Sequence, residues 1–143
     1  MLFVDLSVPH EPEAWQAALP PATSDKPGWL TDLRSSSRVS GWPPADTGEF
    51  YDIGADIPRV DAVISFGDLP VVVLTAGIQT LTPAGEPLGE VLHKVWYALH
   101  EELAAMSSNG RHDLVPAARH GIQDDRPDVV LDAIREPVDR ARR

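Results

Sequence analysis

The chain contains no cysteine among its 143 residues, few aromatic residues and no long apolar run. Without cysteine, neither a disulfide framework nor a thiolate metal site is available. A membrane-spanning helix needs roughly 18 to 20 consecutive apolar residues, and a signal peptide needs a basic start before an apolar stretch. Because the sequence shows neither pattern, we expect a cytoplasmic protein that does not enter the membrane.

Basic residues are in the minority, with 12 Lys and Arg against 22 Asp and Glu and a formal net charge of −10. A surplus of negative charge repels phosphate backbones and anionic lipid headgroups. We therefore expect neither nucleic acid nor a membrane surface as a partner. The apolar fraction of 43% is high enough for a folded core, and the length suits one domain.

Short apolar runs and one helical stripe predict the order of elements. The run Leu2–Asp5 predicts a strand, and the continuous β-branched run Leu69–Thr75 predicts a strand covered on both faces. A helix is predicted over Leu88–Met106, a short strand at His112–Pro116 and a last helix from Pro127. This alternation indicates a three-layer α/β sandwich around a parallel sheet. The inward stripe of the last helix is predicted to be Val129, Val130, Ala133, Ile134 and Val138.

The segment from Ser7 to Pro58 differs from the rest, because it holds eight of the 14 prolines and three of the four tryptophans. Short helices are predicted at Glu11–Leu19 and Trp29–Arg38, but no long periodic pattern runs through the segment. A segment of this length is more than a connection between two strands. We interpret it as an inserted cap whose apolar side chains line a pocket. The candidate pocket residues are Trp15, Trp29 and Trp42.

Asp5 and His120 are the candidate functional residues. Ligands bind beyond the carboxyl ends of the strands in parallel sheets; Asp5 ends the first predicted strand and His120 lies in the loop after the third. A histidine there can act as a general base when a carboxylate fixes its tautomer. On the residues alone a second interpretation stays open, in which His120 is a solvated loop residue and Asp5 belongs to a turn or cap.

The other histidines are weaker candidates. Glu90 and His93 stand three residues apart on the predicted helix and His100 follows two turns later, but a helical di-iron site needs two such motifs on facing helices. We interpret His93 and His100 as exposed residues of a helix surface. We predict neither a metal ion nor another cofactor. His112, at the start of a predicted strand, is interpreted as structural.

Several stretches resemble the second half of α/β-hydrolase-fold enzymes. Asp68–Gly77 is similar to the seventh strand of that fold, and Val115–Ile134 to its eighth strand, catalytic-histidine loop and last helix. Leu2–Ser7 resembles the sixth strand and residues 8–60 the cap that follows it. The loop pattern is carried by His120, Ile122, Gln123, Asp125 and Pro127. Arg119 stands where the family usually has glycine.

The resemblance implies one partial domain over residues 1–143, the C-terminal half of an α/β-hydrolase fold with a Pro- and Trp-rich cap insertion. Its first strand covers residues 1–7, its cap residues 8–60 and its βαβα core residues 61–143. The implied chemistry is the hydrolysis of a small, apolar ester or related acyl substrate. The resemblance makes His120 the base and Asp5 the acid that orients it, and Glu11 is the second choice for the acid.

The nucleophile that this chemistry requires has no counterpart in the sequence. The family's serine stands on a Gly-x-Ser-x-Gly elbow, and that pattern occurs nowhere in the chain. The oxyanion-hole segment, which also comes early in the fold, is missing too. Since an acid–histidine pair then has nothing to activate, we expect the chain alone to be inactive.

Two hypotheses follow. In the first, the chain is an incomplete α/β-hydrolase, through a misplaced start, a truncated gene or a fragment, and becomes an esterase-like enzyme when the N-terminal half is present. In the second, it is a non-catalytic half-domain that pairs through the exposed edge of its first strand with a copy of itself or with a partner, because an unpaired strand edge invites pairing.

Overall fold

A computed structural model describes residues 1–6, 8, 10–21, 23, 25–36, 59–60, 62–78, 80 and 82–142 of the chain. The chain divides into two compact units, one formed by Met1–Val8 with Ser65–Arg143 and the other by Pro9–Ile64. In chain order the elements are β1 (Leu2–Val4), α1 (Glu11–Ala18), α2 (Gly28–Ser36), β2 (Val71–Ala76), α3 (Pro87–Ala105), β3 (Gly110–Val115), α4 (Ile122–Asp125) and α5 (Pro127–Ala141). Of these, α1 and α2 lie in the second unit.

The three strands form one parallel sheet in the order β1-β2-β3. Phe3 stands opposite Val73, which in turn stands opposite His112. All six residues of the central strand β2 are buried, as its unbroken apolar run predicts. The protein therefore has a mixed α/β fold built on a small parallel sheet.

Helices cover the two faces of this sheet. Leu74 belongs to a core cluster with Ala133 of α5, whereas its neighbour Val73 belongs to a second cluster with Leu103 of α3. Successive residues of a strand point to opposite faces, so α3 and α5 lie on opposite sides of the sheet. Within the described residues, none of the helices combines the length and the hydrophobicity that crossing a membrane requires.

The last helix leaves part of its apolar stripe uncovered. Ala133 is 2% exposed, but Ile134 and Val138 are 45% and 42% exposed, and Leu131 is 50% exposed. The prediction that Ile134 and Val138 face the core is therefore wrong. At 3.6 residues per turn, Leu131, Ile134 and Val138 share one flank of α5, beside the buried face rather than on it. We call these three residues the apolar flank.

The position of the apolar flank follows from an ion pair on the other side of α5. Glu136 lies on the opposite flank and pairs with Arg111 of β3, while α5 also contacts β1. The flank therefore lies on the side of α5 away from its ion pair with Arg111. A sheet of three strands is too narrow to cover it.

In the second unit, polar contacts hold the two short helices together. Nη1 of Arg34 in α2 donates to the carbonyl oxygens of Leu19 at 3.1 Å and Pro20 at 2.6 Å, just after α1. The amide of Gln16 in α1 donates to the carbonyl of Arg34 at 3.0 Å. The two helices predicted for this segment are confirmed, and α2 starts one residue earlier than predicted.

The tryptophans assigned to a substrate pocket fall in this part of the chain. Trp15 in α1 is buried and Trp29 in α2 is half-buried. Trp42 lies outside the described residues. The role of these three side chains in lining a pocket stays a prediction.

Candidate functional site

The carboxyl ends of the three parallel strands meet at one edge of the sheet, and the candidate residues lie there. Asp5 directly follows β1, Thr75 is the penultimate residue of β2, and the loop that carries His120 follows β3. Parallel strands present their ends at a common edge, where ligands bind in open α/β sheets. The topology thus accounts for the proximity of residues that are far apart in sequence.

The loops after β2 and β3 are in direct backbone contact. The N–H of Gly77 donates to the carbonyl of Val115, and that of Ile78 to the carbonyl of Ala118, each at 2.9 Å. A Cβ atom at Gly77 would lie 2.4 Å from the Cα of Pro116. Only glycine fits at such a close approach, so residue 77 fixes the spacing between the two loops.

Asp5 is held in place by three backbone and side-chain contacts. Its backbone is left-handed, with φ of 42°, a region that aspartate enters more readily than most residues. Its N–H donates to the carbonyl of Leu74 at 2.8 Å. Oδ1 of its carboxylate accepts hydrogen bonds from the N–H of Ala76 at 3.0 Å and the indole N–H of Trp96 at 2.9 Å. The carboxylate is therefore both buried, at 4% exposure for the residue, and oriented.

His120 contacts the second oxygen of that carboxylate. Nδ1 of His120 lies 2.9 Å from Oδ2 of Asp5. Because a carboxylate oxygen accepts, Nδ1 carries the proton, and a neutral ring then has its lone pair on Nε2. The His120 side chain is 74% exposed, and within the described residues its Nε2 has no hydrogen-bond partner. The structure thus brings together the two residues that the sequence analysis paired.

The carboxylate that contacts His120 is that of Asp5, the first choice for the acid. Glu11, the second choice, begins α1 in the second unit. The seryl hydroxyl that a hydrolase histidine deprotonates is not found beside His120 among the described residues. The expectation that the pair has no nucleophile of its own stays a prediction.

An ion pair closes the loop around His120. The backbone N–H and Nε of Arg119 donate to Oδ2 of Asp125 at 2.8 and 2.9 Å, and Nη2 donates to Oδ1 at 2.6 Å. These hydrogen bonds favour the charged carboxylate and lower the pKa of Asp125 to about 2. Arg119, where the resembled family usually has glycine, therefore contributes a restraint that the sequence analysis did not predict.

A second polar cluster lies deeper in the same unit and consists of Thr75, His100 and His112. Oγ1 of Thr75 lies 2.5 Å from Nδ1 of His100 and 2.7 Å from Nε2 of His112. Nε2 of His100 lies 2.8 Å from the carbonyl oxygen of Leu6. Thr75 and His100 are fully buried. We call this set the threonine–histidine cluster.

The protons in the threonine–histidine cluster have one consistent arrangement when both rings are neutral. The carbonyl of Leu6 only accepts, so Nε2 of His100 donates and its Nδ1 accepts the hydroxyl proton of Thr75. The hydroxyl oxygen then accepts from Nε2 of His112. This leaves Nδ1 of His112 buried without a partner.

Burial controls the charge of this cluster. Desolvation lowers the pKa of His100 and of His112, because it disfavours the protonated ring. At His112 the neighbouring His100 lowers the pKa further. The interpretation of His100 as an exposed surface residue is therefore wrong, since α3 packs that face against the sheet.

The remaining helical candidates do not form a metal-ligand group. His93 lies near the carbonyl oxygen of Ala76, with its Nε2 at 2.8 Å. Its interpretation as a surface residue is corrected to a half-buried contact with the end of β2. Among the described residues, no three His, Asp or Glu side chains are grouped as a metal ion would require.

Trp96 makes a contact within the candidate site that the sequence analysis did not predict. It lies in the helix predicted over Leu88–Met106, and it is 9% exposed. The indole N–H nevertheless donates to Asp5. The available signal was its polar edge, because a buried tryptophan N–H usually finds an acceptor.

Comparison of the chain with family models, curated proteins and solved structures found no match. Its function is therefore argued from the geometry of the site.

Proposed function

We propose that this chain is the catalytic-histidine half of an α/β-hydrolase, with His120 as the general base and Asp5 as the acid that orients it. The observation that carries the proposal is the 2.9 Å contact between Nδ1 of His120 and Oδ2 of Asp5. A buried carboxylate on Nδ1 and an open Nε2 are the features of the acid–base pair in serine hydrolases.

The order of the elements supports this proposal. β1, β2 and β3 are adjacent and parallel, as the resemblance to the sixth, seventh and eighth strands implies. The histidine loop lies between β3 and the last helix α5. The acid follows the first of these strands and the base follows the third, so the chain order of acid before histidine agrees with the family.

In the proposed reaction, Nε2 of His120 removes the proton of a serine hydroxyl while the hydroxyl oxygen attacks the ester carbonyl. Asp5 keeps the lone pair on Nε2 and stabilises the imidazolium that forms, without taking the proton itself. The indole N–H of Trp96 and the N–H of Ala76 hold the Asp5 carboxylate in the orientation that this role requires. The serine and the oxyanion donors would come from a second polypeptide segment.

The substrate class is a small, uncharged ester. The net charge of −10 disfavours an anionic substrate. The predicted cap tryptophans favour an apolar acyl group, as the sequence analysis expects.

The test uses an alkyl ester, ethyl butyrate, and compares the chain alone with a longer protein in which a segment carrying a Gly-x-Ser-x-Gly elbow precedes Met1. We expect no hydrolysis by the chain alone and hydrolysis by a longer protein that carries a Gly-x-Ser-x-Gly elbow. In that longer protein His120→Gln should lower kcat/KM by about 10³-fold or more. His93→Gln is the matched control and should change it little, because glutamine can still donate to the Ala76 carbonyl. A longer protein that keeps its activity in His120→Gln contradicts the proposal.

A second candidate function is that of a non-catalytic half-domain that pairs with a second copy through the edge of β1. The observation that favours it is the apolar flank, Leu131, Ile134 and Val138, which is exposed on α5, a helix that contacts β1. Within the described residues β1 pairs with β2 alone. An open strand edge and uncovered apolar side chains are features that a second sheet can use for pairing.

Light scattering coupled to size exclusion tests the pairing. We expect a dimer for the chain and a monomer for Ile134→Lys. Val91→Lys is the matched control, because Val91 is equally exposed, at 45%, on the helix of the other face, and it should leave the dimer intact. A wild-type chain that stays monomeric and folded at every concentration contradicts this candidate.

A further inference from the structure

We propose that Nε2 of His120 is itself a nucleophile, an acyl-acceptor site for acyl groups carried on acidic leaving groups. The inference uses the same Asp5–His120 pair as the proposed function but goes beyond it, because it requires neither a serine nor a second half of the fold.

The four histidines of the first unit differ in what their nitrogens contact. His100 uses both nitrogens inside the threonine–histidine cluster, and His112 has one nitrogen in that cluster and the other buried. His93 is half-buried and lies against a neutral carbonyl. His120 alone combines a carboxylate on one nitrogen with a largely exposed ring. Among these four rings, its lone pair is the one most accessible to an electrophile in solution.

The carboxylate of Asp5 makes that lone pair more reactive in two ways. It selects the tautomer with the proton on Nδ1, so that Nε2 is free to attack. It also stabilises the positive charge that the ring acquires when Nε2 is acylated. Because Trp96 and Ala76 hold the other oxygen of Asp5, the carboxylate need not reorganise during the reaction.

The reaction needs no reactant other than the acyl compound and water. Nε2 of His120 attacks the carbonyl carbon, the C–N bond forms, and the bond from that carbon to the leaving oxygen breaks with its electron pair. The acyl-imidazolium keeps its Nδ1 proton hydrogen-bonded to the Asp5 carboxylate. Water then adds to the acyl carbon and gives one proton to solvent, the C–N bond breaks with its electron pair on Nε2, and the carboxylic acid and the neutral imidazole are released.

The leaving group decides which acyl compounds react. A tetrahedral intermediate expels its less basic substituent, so an alkyl ester returns imidazole, whereas a phenyl ester or a mixed anhydride loses its phenolate or carboxylate. The charges beside His120 favour an uncharged electrophile over a phosphoryl dianion. Asp5, Asp124 and Asp125 are acidic, and the nearby Arg119 is already engaged by Asp125.

The test exposes the full chain to p-nitrophenyl acetate and follows both phenolate release and the mass of the intact protein. We expect a burst of one acetyl group, which peptide mapping places on His120 ahead of His93, His100 and His112 in the same wild-type chain. Ethyl acetate should give no adduct. Phosphoramidate, a phosphoryl donor, should modify His120 far more slowly than the ester does.

Two variants and one control sharpen the result. His120→Gln should abolish the acetyl adduct, while His93→Gln should leave it unchanged. Asp5→Asn should lower the acylation rate by at least about tenfold, since an asparagine can reverse the tautomer. ¹⁵N NMR of the ring in that variant should show the proton moved from Nδ1 to Nε2, an effect that a merely structural role would not produce.

Acetylation spread evenly over the exposed nucleophiles of the folded wild-type chain would overturn the inference. So would an equal rate in a folded Asp5→Asn variant, or faster modification by phosphoramidate than by the ester. If Asp5→Asn does not fold, the order of histidine acetylation in the wild-type chain decides. The ethyl butyrate assay on the longer protein is independent of all these outcomes, so the failure of one proposal is distinguishable from the failure of the other.

Discussion

Two histidine sites in the same unit lie near the same edge of the sheet, yet their chemistry differs. At the Asp5–His120 pair, a buried carboxylate holds one nitrogen and the other is open to solvent. In the threonine–histidine cluster, a hydroxyl bridges two rings, and no nitrogen is both free and accessible. The residue type is the same in both sites, so the partner and the burial of each ring decide what it can do.

The two sites differ in reactivity and in their contribution to stability. The exposed ring of His120 contributes little packing, but it presents an accessible lone pair on Nε2. The buried rings contribute packing and hydrogen bonds across β2, α3 and β3, at the cost of being hard to protonate. The two sites share no hydrogen bond, although the charge of Asp5 acts on His100.

The largest expected effect comes from removing the bridge of the buried cluster. Thr75→Val keeps the shape but leaves a nitrogen of His100 and an N–H of His112 without partners. We expect the free energy of unfolding to fall by about 2–3 kcal/mol, measured by urea denaturation. Thr80→Val, at an exposed position, should change it by less than about 0.5 kcal/mol. Equal effects of the two substitutions would mean that the cluster does not stabilise the fold.

A smaller effect is expected from pH. Burial is the largest cause of the lowered pKa of His100 and of His112. The negative charge of Asp5 acts against it by raising the pKa of His100, and those of Glu101 and Asp113 raise the pKa of His112. Below the ordinary value of 6.5 the unfolded chain therefore binds more protons than the folded chain. The free energy of unfolding should be highest above that pH and should fall as the pH drops below it.

Urea midpoints measured between about pH 8 and about pH 5 check this dependence. His112→Gln removes one of the two groups and should make the slope shallower. An unchanged midpoint across this range in the wild-type chain would contradict the assigned burial.

The smallest effect is expected at the loop of the reactive pair. Asp125→Asn removes the negative charge that holds the Arg119 side chain and weakens the hydrogen bond that accepts the Arg119 backbone N–H, so that amide should exchange with solvent faster while the urea midpoint at neutral pH hardly moves. In the wild-type chain the ion pair between Arg119 and Asp125 is present above the lowered pKa of Asp125, which is about 2. Its contribution is full above the ordinary value of 3.8 and is lost as the pH falls toward 2.

Asp132→Asn is the control for the loop variant, because Asp132 pairs with Arg135 on the exposed face of α5. It should leave the exchange of the Arg119 amide unchanged. Equal exchange in both variants would indicate that Asp125 does not restrain the loop.

The parts of the fold predictable from the sequence are those set by local pattern and strand topology. The unbroken apolar run of β2 predicted a strand buried on both faces, and its burial confirms this. Asp5 and His120 were paired by the rule that parallel strands end at one edge, and they are in contact.

The predictions that were wrong concern contacts that depend on how helices are rotated against the sheet. Helical periodicity identified the apolar residues of α5 but not the width of the sheet beneath them, so Ile134 and Val138 were misplaced. In the same way, the pattern of α3 could not show that His100 faces Thr75 or that the indole of Trp96 reaches Asp5. These contacts depend on tertiary packing, which a single sequence does not specify.

Because Gly77 lies so close to Pro116, a change at residue 77 would alter the distance between Asp5 and His120. A single methyl group there would act as a wedge against Pro116 and push apart two loops that are tied backbone to backbone. Since Asp5 is anchored to the end of β2 and His120 travels with the loop after β3, the wedge would lengthen the acid–base distance without touching either residue. A substitution at a position with no chemistry of its own would thus change the proposed activity.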